Sequence, residues 1–273
     1  MVITDSGNIS FVKMSGAGND FIIIDTRKNN YQLSSAEIAK LSDRKNIGCD
    51  QFIILKHSQE ASIFMDIYNA DGSSSPACGN ATRCVAYLMM QEFNIDEVKI
   101  QTQSQIIPCK REKDAILVNM GKPKFSPKDI PLAKNLNSNI INIDNFEFYG
   151  VNMGNPHIVT FLDQNLSDED FFKFGPKLEN HSYFPLKTNI EFVNKAADNH
   201  FKVRVWERGV GETLSCGSGA CAVGAAAFQK NLANGEVKIS FKGGDIFISL
   251  NKNGEIIMKG GVTTIFYGMI PGL

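Results

Sequence analysis

One arrangement occurs twice in this chain. Ala77-Cys78-Gly79-Asn80-Ala81-Thr82-Arg83 and Ser215-Cys216-Gly217-Ser218-Gly219-Ala220-Cys221 each set a cysteine where a loop runs into small residues with helical spacing. Aligning the two cysteines places Gly79 with Gly217, Asn80 with Ser218, Val85 with Val223 and Ala86 with Gly224. Upstream of each, Val12-Lys13-Met14-Ser15 and Val151-Asn152-Met153-Gly154 also correspond. A chain that repeats itself in this way is expected to fold as two similar units.

The repeated segments have the period of buried helices. Ala81, Val85, Leu88 and Met89 follow i, i+4, i+7, i+8, and Ala220, Val223, Gly224, Ala227 and Phe228 follow the fuller i, i+3, i+4, i+7, i+8 pattern. Ala225 and Ala226 make the second helix unusually slim, which suits close packing against a sheet. Around these helices the sequence predicts strands at Phe11 to Met14, Phe21 to Asp25, Gln51 to Lys56, Ser62 to Asn69, Val98 to Gln103, Ala115 to Asn119 and Phe201 to Trp206, with a helix at Ser35 to Asp43. Many strands with few helices read as α+β, in two pseudo-equivalent halves. The Pro-, Lys-, Asn- and Ser-rich stretch Gly121 to Asn145 reads as the connection between them.

Composition narrows the function. A chain of 273 residues, 43% hydrophobic, can fill two moderate cores. A net charge of -1 without blocks of like charge gives no reason to expect nucleic acid or an anionic membrane as partner, so a small molecule is expected. Met1-Val2-Ile3-Thr4-Asp5-Ser6-Gly7-Asn8 lacks the pattern of a signal peptide, and no apolar run has the length of a membrane span, so a cytoplasmic protein is expected. Six cysteines without a Cys-x-x-Cys pair form neither a disulfide framework nor a zinc site; no metal is expected. Cys49, Cys84, Cys109 and Cys221 read as buried small hydrophobes. Gly16 to Gly18 does not open a helix as a nucleotide-binding loop does, because Asn19-Asp20-Phe21 leads back into a strand.

Cys78 and Cys216 read differently. A thiol over a helix N-terminus lies where the N–H groups and the dipole favour a thiolate, and the Gly and small polar residue that follow leave those N–H groups accessible to an anion such as a carboxylate. Two such thiols on opposite sides of one carbon can remove a proton from one face and deliver one to the other. Stripping the α-hydrogen from an amino acid is hard because the carbanion is poorly stabilised, and most enzymes recruit pyridoxal phosphate for it. Helix N-termini aimed at the carboxylate offset part of that cost without a cofactor. Racemase or epimerase chemistry is therefore expected, with thiol and thiolate exchanging roles at each turnover.

Six segments, Gly16-Ala17-Gly18-Asn19-Asp20-Phe21, Asn69-Ala70-Asp71-Gly72-Ser73, Cys78-Gly79-Asn80, Met153-Gly154-Asn155-Pro156-His157, Glu207-Arg208-Gly209 and Cys216-Gly217-Ser218-Gly219-Ala220, stand in the order found in diaminopimelate epimerases. The chain resembles that family from about Phe11 to its carboxyl terminus. The resemblance implies a cofactor-independent enzyme that interconverts LL- and meso-diaminopimelate on the route to lysine and peptidoglycan precursors. It implies that Cys78 and Cys216 are the acid/base pair and that His157 and Glu207 lie beside the thiols and assist their ionisation. Substrate contacts are implied at Asn19, Gln51, Asn69, Asn155, Asn189, Glu207 and Arg208, with the reacting carboxylate on the backbone of Gly79, Asn80, Gly217 and Ser218. Amide oxygens and a guanidinium suit the ammonium and carboxylate of the substrate's far end.

It further implies an α+β fold of two pseudo-symmetric halves, each a curved, mostly antiparallel sheet wrapped around a central helix, with an active site in the cleft between the halves, a first half of residues 1–121 plus 262–273, a second of 122–261, and a homodimer. Ser74-Ser75-Pro76-Ala77 and Ala81 depart from the commonest family pattern and bear on substrate range more than on reaction type. The alternatives are a racemase of the same fold acting on another amino acid, such as proline or histidine, and a binding or thiol-redox protein. The amide and arginine set discriminates against the first, and the paired cysteines in context against the second.

Overall fold

The computed structural model describes residues 8–29, 31–133 and 136–270. Residues 1–7, over which the sequence lacks a signal-peptide pattern, and 271–273, the end of the segment expected to return to the first half, lie outside the described residues. The chain divides into two compact units: one runs to Val118 and resumes at Gly260, the other is Asn119–Lys259.

In the first unit β1 (Ile9–Gly16) and β2 (Asn19–Asp25) form a hairpin with Phe11 opposite Ile24. Its two-residue turn has positive φ at both Ala17 (55°) and Gly18 (83°), the twist that joins antiparallel strands tightly. Helix α1 (Ser35–Ser42) opens on a capping box between Ser34 and Glu37 and buries Ile38 and Leu41. It delivers β3 (Gln51–Lys56) parallel to β2, with Phe21 beside Gln51. Antiparallel β4 (Ile63–Asn69) brings Asn69 opposite Gln51, and the short β5 (Ser74–Ser75) turns the chain into α2 (Gly79–Phe93). Asn94 ends that helix in the left-handed region at φ 53°. Strand β6 (Glu97–Gln101) lies parallel to β4, and β7 (Ile106–Glu112) and β8 (Ala115–Gly121) follow antiparallel.

The second unit repeats the plan. After β9 (Ile140–Ile143), antiparallel β10 (Phe146–Asn152) and β11 (Pro156–Leu162) form the hairpin, and α3 (Asp168–Glu179) carries the chain to β12 (Asn189–Ala197), parallel to β11 with His157 beside Asn189. Antiparallel β13 (His200–Glu207), short β14 (Gly211–Glu212) and α4 (Gly217–Gln229) follow. Strand β15 (Val237–Phe241) is parallel to β13, and β16 (Gly244–Leu250) and β17 (Ile256–Gly260) close the series antiparallel. The sequence of parallel and antiparallel pairings is that of the first unit. Strand β18 (Thr263–Ile270) then pairs antiparallel with β1.

Each unit packs its strands about one helix: α2 lies against β1, β4, β6 and β7, and α4 against β10, β11, β12, β15 and β16. Both helices are buried over more than the periodic face. In α2, Arg83, Cys84 and Ala86 are fully buried along with Ala81 and Val85, while Leu88 stays half-buried. In α4 every residue from Gly219 to Ala227 is buried. Strands on all sides explain the small residues: a Cβ added to Gly224 would stand 2.5 Å from Ile248 Cγ2.

Several elements depart from the sequence expectation. Strand β7 carries Pro108, and α3 contains Pro176, each a residue that argues against its element in sequence. The stretch expected as a connection, Gly121 to Asn145, contains β9 and a bridge from Lys124 to Asn152; residues 134 and 135 within it lie outside the described residues.

The six cysteines form no disulfide. Burial pushes the Cys84 and Cys109 thiols up to about 12 from 9.0, and raises Cys49 as well. The native state thus keeps protons that the unfolded chain releases above about pH 9. Their contribution is complete below that pH and is lost as pH rises toward 12, so the denaturation midpoint is expected to fall from about pH 8.5 to about pH 10.5. Urea titrations at the two values check this; an unchanged midpoint contradicts it.

Candidate active site

In the first unit the candidate residues gather where β2 and β3 begin and β4 ends. Cys78 is the N-cap of α2, with extended backbone (φ -152°, ψ 109°), and its sulfur accepts the Ala81 N–H at 3.4 Å. The first N–H groups of a helix have no acceptor within it. Gly79 and Asn80 occupy those first helical positions. Cys78 Sγ lies 3.8 Å from Asn19 Oδ1, and the Asn19 amide donates to Asp50 Oδ2 at 2.7 Å. Asp50 and Asp20 exchange backbone-to-carboxylate bonds, and Arg44 donates to both. Burial opposes ionisation of Asp20, but Arg44 and Lys13 together hold its carboxyl well below the usual carboxylate range. Gln51 Nε2 donates to Asn69 Oδ1 at 3.2 Å, whose amide donates to Ser73 Oγ. Gln51 Oε1 is buried without a hydrogen-bond partner among the described residues.

The second unit brings Cys216 to the same place. It caps α4 with extended backbone (φ -132°, ψ 116°) and its sulfur accepts the Gly219 N–H at 3.3 Å, with Ser218 Oγ at 3.5 Å; Gly217 and Ser218 begin the helix. Glu207, at the end of β13, accepts from Thr213 Oγ1 and from the Cys216 thiol. Asn189 at the start of β12 donates to Pro156 O at 2.7 Å and accepts the Arg208 N–H at 2.9 Å, while the Arg208 guanidinium reaches Leu186 O. His157 stands between Asn155 and Glu191: its Nε2 is 2.9 Å from Asn155 Oδ1 and its Nδ1 2.7 Å from Glu191 Oε1. Within this unit the predicted residues thus come together, but His157 bonds to Asn155 and Glu191.

Electrostatics at Cys216 run against the sequence expectation of a thiolate. Burial, then the carboxylates of Glu207 and Glu191, raise this thiol well above its ordinary value, against the smaller opposing effects of Ser218 and the Gly219 N–H. Desolvation and two negative neighbours outweigh the helix end, so Cys216 rests as a thiol, ready to give a proton. Glu207 is raised too, by its packed surroundings first, against the bonds from Thr213 and Cys216. Nothing in Asn189-Ile190-Glu191-Phe192-Val193 marks Glu191 in sequence, because a lone glutamate carries no motif; in the structure Ile190 and Phe192 are buried with it, so the strand leaves it no face to water. Among the described residues no group of His, Cys, Asp and Glu is arranged to hold a metal ion.

Strand register equates positions in the two units. Phe21 beside Gln51 matches His157 beside Asn189, which equates Asn19 with Asn155 and Ile53 with Glu191. Two units that each pack strands about one helix are a fold shared with solved structures. The PhzF-family phenazine biosynthesis protein of Bacillus anthracis matches with a TM-score of 0.67 at 15% identity, covering 96% of this chain and 99% of that one. A hydroxyproline epimerase from Agrobacterium vitis matches at 0.66 and 11% identity, covering 98% and 94%. At such identities the likeness is one of fold.

Sequence narrows the class to a family. The diaminopimelate epimerase family model matches residues 11–126 and 149–265. The diaminopimelate epimerase of Pelagibacter ubique is 40% identical over 267 residues, covering 94% of this chain and 97% of the relative, and that of Acidiphilium cryptum is 39% identical over 263 residues, covering 94% and 95%. This chain belongs to the diaminopimelate epimerase family.

Proposed function

We propose that the protein interconverts LL- and meso-2,6-diaminopimelate by two-base proton transfer at the α-carbon, as an isomerase of lysine and peptidoglycan precursor biosynthesis that uses no cofactor. The observation that carries the mechanism is that each unit presents one cysteine as the N-cap of its central helix, its sulfur held by the N–H three residues on. In this reading Cys78 and Cys216 address opposite faces of one α-carbon. The reacting carboxylate lies on the N–H groups of Gly79, Asn80, Gly217 and Ser218, where helix ends favour negative charge as it develops.

Glu207 takes the proton of Cys216 when that thiol must act as base, and His157 supports the same side. Asn19, Gln51, Asn69, Asn155, Asn189 and Arg208 hold the rest of the substrate. The unpartnered Gln51 Oε1 supports this assignment, since a buried acceptor without a donor suits an ammonium.

No described helix is long and apolar enough to cross a membrane. We place the enzyme in the cytoplasm, where disulfides are rare and a reaction needing two reduced thiols is sustained. We also infer a homodimer: Tyr267 and Met269, two residues apart on one face of β18, are exposed by 69% and 59%, and a second copy covering them removes that apolar surface from water. Sedimentation equilibrium reads the state directly, and a monomer at micromolar concentration refutes it.

The catalytic assignment is tested by proton NMR of LL-diaminopimelate with reduced protein in D2O. Loss of the α-proton signal together with appearance of the meso isomer is the expected result. Absence of both, with all thiols titrating as reduced, overturns the assignment.

A further inference from the structure

The pair His157–Glu191 has no exposed surface on either side chain. At the equivalent register positions the first unit holds Phe21 and Ile53, both also fully buried. Replacing a buried charged pair by apolar packing is often neutral or stabilising, and the first unit uses the apolar solution in the same fold. Packing therefore gives no account of the charge in the second unit. Glu191 also stands beside the reactive thiol: a Cβ added to Gly219 would lie 2.8 Å from Glu191 Oε1 and 3.2 Å from Cys216 Cβ.

Each nitrogen of the His157 ring meets an oxygen, Glu191 Oε1 on one side and Asn155 Oδ1 on the other. An ionised carboxylate only accepts, and so does an amide oxygen. The second Glu191 oxygen, Oε2, is buried without a hydrogen-bond partner among the described residues, so this carboxylate is held at its other oxygen by the imidazole. A desolvated carboxylate supported so thinly calls for a cationic partner.

We propose that Glu191 is a positioning residue of this site: by accepting the Nδ1–H of His157 it holds the ring with its Nε2–H donated to Asn155 Oδ1, which turns the Asn155 NH2 group away from the ring and outward. Asn155 is half-buried where His157 and Glu191 are not exposed at all, so the relay carries the influence of a buried carboxylate to a side chain that solvent and substrate can reach. With glutamine at 191 the ring loses its counter-charge, Nε2 becomes an acceptor, and the Asn155 amide reverses to offer it an N–H.

The experiment is a long-range 1H–15N correlation on protein labelled at its four histidines, with His157→Gln to assign the ring. With an oxygen facing each ring nitrogen, both His157 nitrogens are expected to carry protons, and one to be bare in Glu191→Gln. Because it rests on the proposed epimerase reading, the kinetic arm is kept apart: in Glu191→Gln the KM for diaminopimelate is expected to rise about tenfold or more, with a smaller change in kcat, the effect of losing one well-placed bond to a charged group. Glu191→Asp, which keeps the charge on a shorter arm, should recover part of both changes. A bare nitrogen at His157 in the parent protein overturns the proposal, as does a folded Glu191→Gln whose KM stays within about twofold of the parent. The ring spectrum needs no turnover, so it decides the matter if the variant does not fold, and an inactive parent enzyme would remove the epimerase reading without touching it.

Discussion

Replacing Cys216 with alanine is expected to lower epimerisation of diaminopimelate by at least about 10³-fold, and Cys78→Ala to do the same, the scale set by losing a positioned acid or base. Inversion needs a proton taken from one face and another supplied to the opposite face, and in the proposed two-base mechanism each thiol serves only one of them. Each single-alanine protein keeps one thiol at one helix entrance. It is expected to exchange the α-hydrogen of only one stereoisomer with D2O, and without inversion. Fold loss is a small concern, because an N-cap contributes only about 1 kcal/mol and alanine occupies less space in a site that already holds sulfur. The measurement is the pair of exchange rates from the two isomers, in each variant. Inversion persisting at parental rate in either protein would sink the two-base mechanism.

The second large effect is expected at Glu207. Its carboxylate accepts the Cys216 S–H and, with Glu191, keeps that thiol protonated. Glutamine preserves the shape and removes the charge. Two consequences follow with definite signs. The proton of Cys216 loses its acceptor, so kcat is expected to fall about 10²-fold or more, the usual loss for a removed general base. One of the negative charges raising the Cys216 thiol also disappears, so the remaining limb of the pH–rate profile that belongs to this thiol should move to lower pH. A profile that stays in place, or moves up, would show that Glu207 is not coupled to Cys216.

How far the site was legible depends on the residue. Cys78 and Cys216 stood out because a cysteine followed by glycine and a small polar residue at the head of an apolar, small-residue run is a helix entrance in any fold, and the repetition doubled the signal. Asn19, Asn155 and Asn189 were marked by the resemblance alone; local chemistry reads an asparagine beside glycine or proline as a turn residue. The strand positions were partly legible because alternation and β-branched runs are local, whereas β7 and α3 were obscured by Pro108 and Pro176.

What local reading could not reach was the balance of forces at Cys216. The helix end is written in sequence, but the desolvation and the two carboxylates that overturn it arrive from β12 and β13, remote along the chain. Arg83 is a similar case. It is the largest fully buried side chain among the described residues, and the room for it is made by Gly16 and Gly260, where an added Cβ would stand 3.1 and 3.2 Å from its guanidinium.

The pairing of β18 with β1 has a consequence for how the protein is made. A ribosome releases β1 long before β18, so during synthesis Phe11 waits for Gly268, against whose bare backbone its ring is packed so closely that an added Cβ would stand 2.5 Å away. Until then one side of β1 is an unpaired edge, open to any other extended chain. The second unit, uninterrupted in sequence, can finish while the first is still waiting. The nascent polypeptide therefore carries an unfinished amino-terminal body tethered to a completed one, and a message cut short, or a premature stop before Thr263, yields a product that exposes this edge permanently and is marked for aggregation or degradation.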